Sequence, residues 1–348
     1  MISFYPGPSK MHPNLGDFLN NASESGILSQ NHRSKAFENL YQNTSENLKK
    51  WLQVPPHFEL LFFSSATECW QVLSQTNFGN NRLHIFNGAF GKKWADVSHQ
   101  LNNCVHQLQS FNFETLPEIA NENNADFIAL THCETSNGTY LNNSFLSSLR
   151  KEFPTSTIAI DATSCMAGVP INWENGNIWF ASVQKCFGLP SGLAVMLIDH
   201  KTIDKITNLN STNLYYNSLQ SSLQNQQKWQ TTHTPNILGI HLLNQLAQTQ
   251  APNYSEIELS MQNWHEYFTQ STIFKPLIKN LIVQSLTVIT VEAEEKTIQK
   301  LKIACENNGV LIGNGYGNYS KNTFRIANFP AHTTEEKTLL KNILTNFE

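Results

Sequence analysis

Through its first two-thirds the chain alternates short apolar runs with longer stretches of helical spacing, and that alternation leaves few folds open. The runs Phe58–Phe63, Leu83–Phe86, Phe127–Leu130, Thr157–Ile160, Ile178–Ala181 and Leu193–Ile198 read as strands. Between them, Ala36–Leu52, Thr67–Gln75, Lys92–Leu101 and Asn143–Lys151 read as helices. Strand–helix alternation predicts a doubly wound, mainly parallel sheet with helices on its faces, an α/β architecture. In such sheets ligands bind beyond the carboxyl ends of the strands, where the connecting loops gather.

The rhythm changes near residue 250. Ala251-Pro252-Asn253 is turn chemistry, and a helix is expected over Ser255–Gln270. An extended apolar stretch follows at Leu281–Val291, then a helix around Ile298–Asn307, a strand around Phe324–Ala327 and a terminal helix from about Thr334. Two units are expected: a large one over 12–250, and a smaller α/β one made of 1–11 and 251–348, with a cleft between them.

Composition narrows the class of function. The chain has 348 residues, 40% hydrophobic, enough for a substantial core, and a formal net charge of −4 with only 14% charged residues. No basic run is dense enough for nucleic acid or an anionic membrane surface. No window approaches the roughly 20 apolar residues that a membrane span needs. The opening MISFYPGPSK lacks the charged and apolar regions of a secretory signal. Six cysteines lie far apart with no C-x-x-C pair, so no zinc ribbon or redox motif is expected and no metal site is predicted. These features together predict a cytoplasmic protein with reduced thiols.

The chemistry concentrates in 158–197, IAIDATSCMAGVPINWENGNIWFASVQKCFGLPSGLAVML. An apolar strand ends in Asp161; a second runs into Gln184-Lys185; Gly188-Leu-Pro-Ser-Gly192 and a third apolar strand follow. Two opposite charges thus sit at the ends of neighbouring strands. A lone lysine before a turn is ordinarily solvated. Here the glycines after it permit close backbone approach, and a lysine forms an imine once burial makes its amine available unprotonated. Asp161 would pair with a protonated pyridine nitrogen and keep the ring of a pyridoxal cofactor an electron sink.

This stretch resembles the fold-type I, class V pyridoxal-phosphate enzymes, and most of all the phosphoserine aminotransferase family, in which a strand-ending Asp precedes Ala-x-x-Gln-Lys and a Gly-rich turn. The match is Ala181-Ser-Val-Gln184-Lys185, with Lys185 24 residues after Asp161. The resemblance implies that Asp161 bonds the pyridine nitrogen, Lys185 forms the imine with pyridoxal 5′-phosphate and Gln184 contacts the cofactor phosphate. Phe4-Tyr-Pro-Gly-Pro8 resembles the Gly-Pro segment of class V enzymes. Asn31-His32-Arg33-Ser34-Lys35 resembles a segment whose His32 and Arg33 would reach a neighbouring subunit's substrate. Ser64-Ser65-Ala66-Thr67 falls where the family holds the cofactor phosphate, implying that Ser65, Ala66 and Thr67 cradle it. Hydroxyls and N–H groups at a strand-to-helix junction suit an anion, although Ser and Thr there are also ordinary N-caps.

Further along, Phe90-Gly-Lys-Lys-Trp94 implies that Phe90 stacks on the pyridine ring, with Trp94 in the core. Glu134-Thr135-Ser136-Asn137-Gly138 would bring the Thr135 hydroxyl to the phenolic oxygen. His233-Thr234-Pro235 would bring His233 and Thr234 to the phosphate across a dimer interface. Phe324-Arg325-Ile326 implies that Arg325 grips the substrate α-carboxylate, a task that suits the planar guanidinium.

The family's cations for a phosphorylated substrate are incomplete. Thr67-Glu68 stands where an Arg belongs, and Tyr316-Gly-Asn-Tyr319 where a His belongs. Glu68 either points into the pocket, favouring a less anionic substrate, or outward on its helix. The expected reaction is ping-pong transamination of phosphoserine with glutamate and 2-oxoglutarate as partner pair, in serine biosynthesis, by a homodimer. An alanine- or serine–glyoxylate type of class V transaminase, or a catalytically silent homologue serving as a binding protein, are the alternatives.

Overall fold

The computed structural model describes residues 1–119, 124–208 and 215–347. Its larger sheet has seven strands in the order Phe58–Phe63, Ala194–Asp199, Ile178–Ser182, Thr157–Asp161, Phe127–Thr131, Asn81–Phe86 and Val105–Ser110. Every pairing is parallel except those of Ala194–Asp199, which runs antiparallel to both its neighbours. Six strands therefore end on one edge of the sheet. The expected α/β, mainly parallel architecture is the one observed.

Alternation along each strand splits its side chains between two apolar layers. Leu60, Phe62, Trp179 and Ala181 pack on one face beneath Phe37, Leu40 and Leu48 of helix Lys35–Trp51 and Ile240 and Leu243 of helix Ile237–Leu246. Leu61, Phe63, Ile178 and Phe180 pack on the other beneath Cys69, Val72 and Leu73 of helix Ala66–Gln75 and Trp94 of helix Ala89–Leu101. Trp94 is a core residue as expected, 1% exposed. Side-chain caps set several helix starts: Ser34 accepts from the Phe37 N–H, Ser65 from Glu68 and Asn142 from Phe145.

A smaller five-stranded sheet follows the order Ile2–Phe4, Val310–Asn314, Thr323–Ala327, Val288–Glu292, Lys275–Pro276. The first strand of the chain lies parallel to Val310–Asn314, so the N-terminal segment joins an otherwise C-terminal sheet. Helices Tyr254–Gln270, Glu295–Asn307 and Thr334–Phe347 cover it, with Trp264, Phe268, Leu301 and Leu340 in a shared core. Two expectations need correction here. The apolar stretch 281–291 is extended only from Val288, because Leu281 and Ile282 lie in a turn, 63% and 60% exposed. The strands Val105–Ser110 and Val310–Asn314 were not anticipated. Among the described residues no helix is long and apolar enough to cross a membrane.

Candidate active site

The loops beyond Phe63, Phe86, Thr131, Asp161 and Ser182 converge on a cavity of about 450 Å³, closed from above by Tyr5–Pro8 and by Asn314–Tyr316 with Arg325. Of the residues singled out in the sequence, Ala66, Thr67, Phe90, Thr135, Asp161, Gln184, Lys185 and Arg325 all line it.

Lys185 is the centre. The sequence brings it there by ending a buried strand at Ser182 and turning at once, with the Val183 N–H bonded to Leu193 O across the hairpin. Its amine donates to the hydroxyls of Thr135 at 3.0 Å and Ser164 at 2.9 Å and lies 5.3 Å from the centre of the Phe90 ring. Burial holds its pKa below the ordinary lysine range, against the opposing attraction of Asp161. The glycine-rich turn works by close approach. Gly188, at φ +64°, accepts from the His12 N–H at 2.7 Å, and a Cβ there would stand 2.9 Å from that nitrogen. On the other side Gly7, at φ +151°, leaves room where a Cβ would meet Lys185 Cε at 2.8 Å.

Asp161 lies at the floor, 3% exposed. One carboxylate oxygen accepts from the Thr163 N–H at 2.9 Å and the other from the Trp70 indole at 2.8 Å. Burial pushes its pKa up, while the bonds from Thr163 and Trp70 and the charge of Lys185 pull it back. Trp70, Thr163 and Ser164 are site residues that sequence reasoning missed. Thr163 and Ser164 stand immediately after the Asp161 strand end, a position that could have flagged them.

Glu134 fixes two further parts together. Its carboxylate caps the helix Ala89–Leu101 by accepting from the N–H groups of Phe90 at 3.1 Å and Gly91 at 3.0 Å. It also accepts from the Ser136 N–H and hydroxyl, which sets the turn that presents Thr135. Arg325 reaches across from the smaller sheet. Its Nη1 donates to Thr135 O at 2.9 Å and its Nε to Asn314 O at 2.7 Å, leaving Nη2 without a protein acceptor. It is 5% exposed and has no acidic partner among the described residues.

Some expected residues lie elsewhere. The Ser65 hydroxyl is spent on the Glu68 N–H at 3.1 Å, and Ser65 does not line the cavity. Glu68 does not line the cavity: its carboxylate accepts from the N–H and hydroxyl of Ser64, the residue before the N-cap, and from Asn217. His32, Arg33, His233 and Thr234 form a separate surface group. There His32 Nδ1 lies 3.4 Å from the Thr234 hydroxyl, and Arg33 donates to Gln230 at 2.7 Å. None of the four lines the Lys185 cavity of the same chain.

Comparison with known proteins agrees with this geometry. The description "Aminotransferase class-V" matches residues 7–319. A crystal structure of a phosphoserine aminotransferase from Cytophaga hutchinsonii is 30% identical with a TM-score of 0.91, covering 99% of this chain and 98% of that one. The phosphoserine aminotransferase of Corynebacterium glutamicum is 26% identical over 343 residues, 93% of this chain and 88% of the relative. An alanine–glyoxylate aminotransferase from Nostoc shares the fold, with a TM-score of 0.81 at 17% identity over 99% of this chain and 94% of that one. A buried lysine whose pKa is held below the ordinary range, facing a buried aspartate at the strand ends, in a chain matched from residue 7 to residue 319, makes this protein a member of the class-V aminotransferase family.

Proposed function

We propose that this chain transfers an amino group between phosphoserine and 2-oxoglutarate, using pyridoxal 5′-phosphate held on Lys185. The observation that carries the reading is a single cavity holding a buried lysine amine, Lys185, and a buried guanidinium, Arg325, neither ion-paired among the described residues, above a buried carboxyl group, Asp161. The relatives named phosphoserine aminotransferase support the choice of substrate, and Glu68, the residue that would have opposed a dianion, faces away.

The residues present fit the cofactor. The Oε1 of Gln184 and the hydroxyl of Thr131 line the cavity, are buried and meet no protein partner among the described residues. Each such orphan costs about 1–3 kcal/mol unless a ligand or water answers it. At the start of helix Ala66–Gln75 the Ala66 N–H is taken by Ser182, while no protein acceptor meets the Thr67 N–H or hydroxyl. That is a ready place for a phosphate.

In this reading Ala66, Thr67 and Gln184 hold the phosphate, with Ser65 shaping the turn. Phe90 bears on the ring, Thr135 on its phenolic oxygen and Asp161 on its nitrogen. When bound, pyridoxal phosphate supplies the electron sink that lets the substrate α-carbon lose a proton. Lys185 takes that proton and returns it, because burial keeps its amine available as a base. Asp161, costly to ionise where it is buried, is stabilised as an anion by a cation on the ring nitrogen. Arg325 fixes the α-carboxylate, so that the α-proton faces Lys185. A second copy of the chain supplies His233 and Thr234 to the phosphate and His32 and Arg33 to the substrate, in a cytoplasmic homodimer serving serine biosynthesis. Residues 12–250 carry the cofactor, and 1–11 with 251–348 form the smaller unit that brings Arg325.

The test is direct. Borohydride treatment of the pyridoxal-phosphate-loaded protein should fix the cofactor on Lys185, read by peptide mass spectrometry; a fixed adduct on another lysine refutes the assignment. Single-turnover spectra should then change fastest with phosphoserine and glutamate. Faster reaction with serine or alanine refutes the phosphoserine reading.

A further inference from the structure

Lys92 and Lys93 stand side by side on helix Ala89–Leu101 and have different surroundings. Lys92 is tied to Asp96 at 2.7 Å, an ion pair one turn along the helix. Lys93 has no acidic partner among the described residues. Its amine donates to the Tyr316 hydroxyl at 2.6 Å and lies 5.2 Å from the centre of the Tyr316 ring and 5.7 Å from that of Phe90. Phe90 and Tyr316 both line the cavity, with their rings 5.2 Å apart. The same two rings carry two side chains that line the cavity: Arg325 lies 5.3 Å from the Tyr316 ring centre and the Lys185 amine 5.3 Å from that of Phe90.

Arg325 and Lys93 therefore share the Tyr316 ring and the Lys185 amine lies over the adjacent Phe90 ring; Arg325 and Lys185 line the cavity, Lys93 stands exposed beside it, and none of the three is ion-paired among the described residues. A cation held by a neutral hydroxyl against aromatic faces is oriented without being neutralised. Its charge stays available to an incoming anion. Arg325 answers the α-carboxylate and Lys185 serves the α-carbon, which leaves the Lys93 charge with no acidic partner among the described residues.

We infer that Lys93, oriented by Tyr316, binds the anionic end of the substrate's side chain, so that the site selects amino acids with a phosphate or a second carboxylate beyond the α-carbon. The inference rests on the transaminase reading above and adds the residue that sets its side-chain preference. Phosphoserine and glutamate both carry such a group, so one lysine serves both halves of the exchange. Tyr316 is the positioning residue: its hydroxyl accepts from Lys93 and its ring spans the gap to Arg325.

The experiment compares the loaded wild-type enzyme with Lys93→Gln, using Lys92→Gln as the control at a neighbouring exposed site. Two ratios of kcat/KM are read, phosphoserine over serine and glutamate over alanine. Loss of one charge-assisted contact should lower both ratios about tenfold in Lys93→Gln, chiefly through KM. Both ratios should hold in Lys92→Gln. Tyr316→Phe should lower them by less, since the amine remains but loses its anchor. A fall in the first ratio alone supports a phosphate subsite and removes the carboxylate from the inference. Wild-type ratios retained in Lys93→Gln overturn the inference while leaving the phosphoserine reading intact. A wild-type enzyme that prefers serine and alanine overturns both.

Discussion

The bond from Trp70 to Asp161 offers a quantitative test of how the cavity floor is built. In Trp70→Phe the ring stays but the N–H that reaches Asp161 Oδ2 at 2.8 Å is gone. Both residues are buried, at 6% and 3% exposure, so the bond is poorly screened. A hydrogen bond to a charged group contributes about 1.5–3 kcal/mol and one to a neutral group about 0.5–1.5. The loss is therefore about 1 kcal/mol larger when Asp161 is ionised than when it is protonated.

That difference makes the defect pH-dependent, with a fixed sign. Asp161 has a raised pKa in the folded protein, with burial as the largest cause. A carboxyl of this kind carries no penalty below its unfolded pKa. Its cost to folding grows as pH rises from the unfolded value to the folded one and is full above it. Removing the Trp70 donor raises the folded value further. The stability gap between wild type and Trp70→Phe should then widen by about 1 kcal/mol as pH rises from below to above the folded-state titration of Asp161, on top of a constant packing loss. Urea unfolding of the cofactor-free protein at several pH values reads this gap. A gap that stays flat, or narrows as pH rises, would refute the claim that Trp70 stabilises the ionised form of Asp161.

Two further outcomes follow from the same geometry. Gly7→Ala adds a Cβ 2.8 Å from Lys185 Cε at a backbone φ of +151°; it should cost about 1–3 kcal/mol of stability and slow cofactor attachment, both measurable by denaturation and by the rise of the bound-cofactor absorbance. If His32 and Arg33 serve a second copy's site, mixing inactive Lys185→Ala with inactive Arg33→Ala and refolding together should restore about a quarter of wild-type activity, because half the dimers are mixed and each has one intact site; no recovery in a mixture that demonstrably forms mixed dimers would refute the shared site.

The cavity was legible in the sequence wherever a residue's role is fixed by where a strand ends. Asp161 and Lys185 close adjacent parallel strands, so their meeting follows from topology alone once the sheet is recognised. Helix starts were legible for a similar reason: Ser34, Ser65 and Asn142 cap the first turn by local chemistry. Strand direction was not. The apolar run at Ala194–Asp199 looks the same whichever way it points, and only its short hairpin from Ile178–Ser182 makes it antiparallel. Edge strands were missed because half-exposed residues blur the apolar run; in Val105–Ser110, Val105 and Leu108 are 57% and 58% exposed.

What remained hidden were functions set by contacts between distant parts of the chain. Trp70 lies 91 residues from Asp161 and sits at helical spacing among apolar neighbours, the pattern of an ordinary core residue. Its indole matters only because helix Ala66–Gln75 packs over the strand that ends in Asp161. Glu68 shows the converse: local bonds from Ser64, four residues before it, turn its carboxylate away from the cavity, a direction that helical spacing alone leaves open. Lys93 is an intermediate case. Its place on the helix after Phe90 could be read from spacing, but its charge gains a purpose only through Tyr316, 223 residues away on the smaller sheet's loop. The cofactor end of this cavity is thus written in local strand ends, whereas the substrate end is assembled across the cleft, and it is there that members of one family with the same lysine and aspartate can differ in the amino acid they accept.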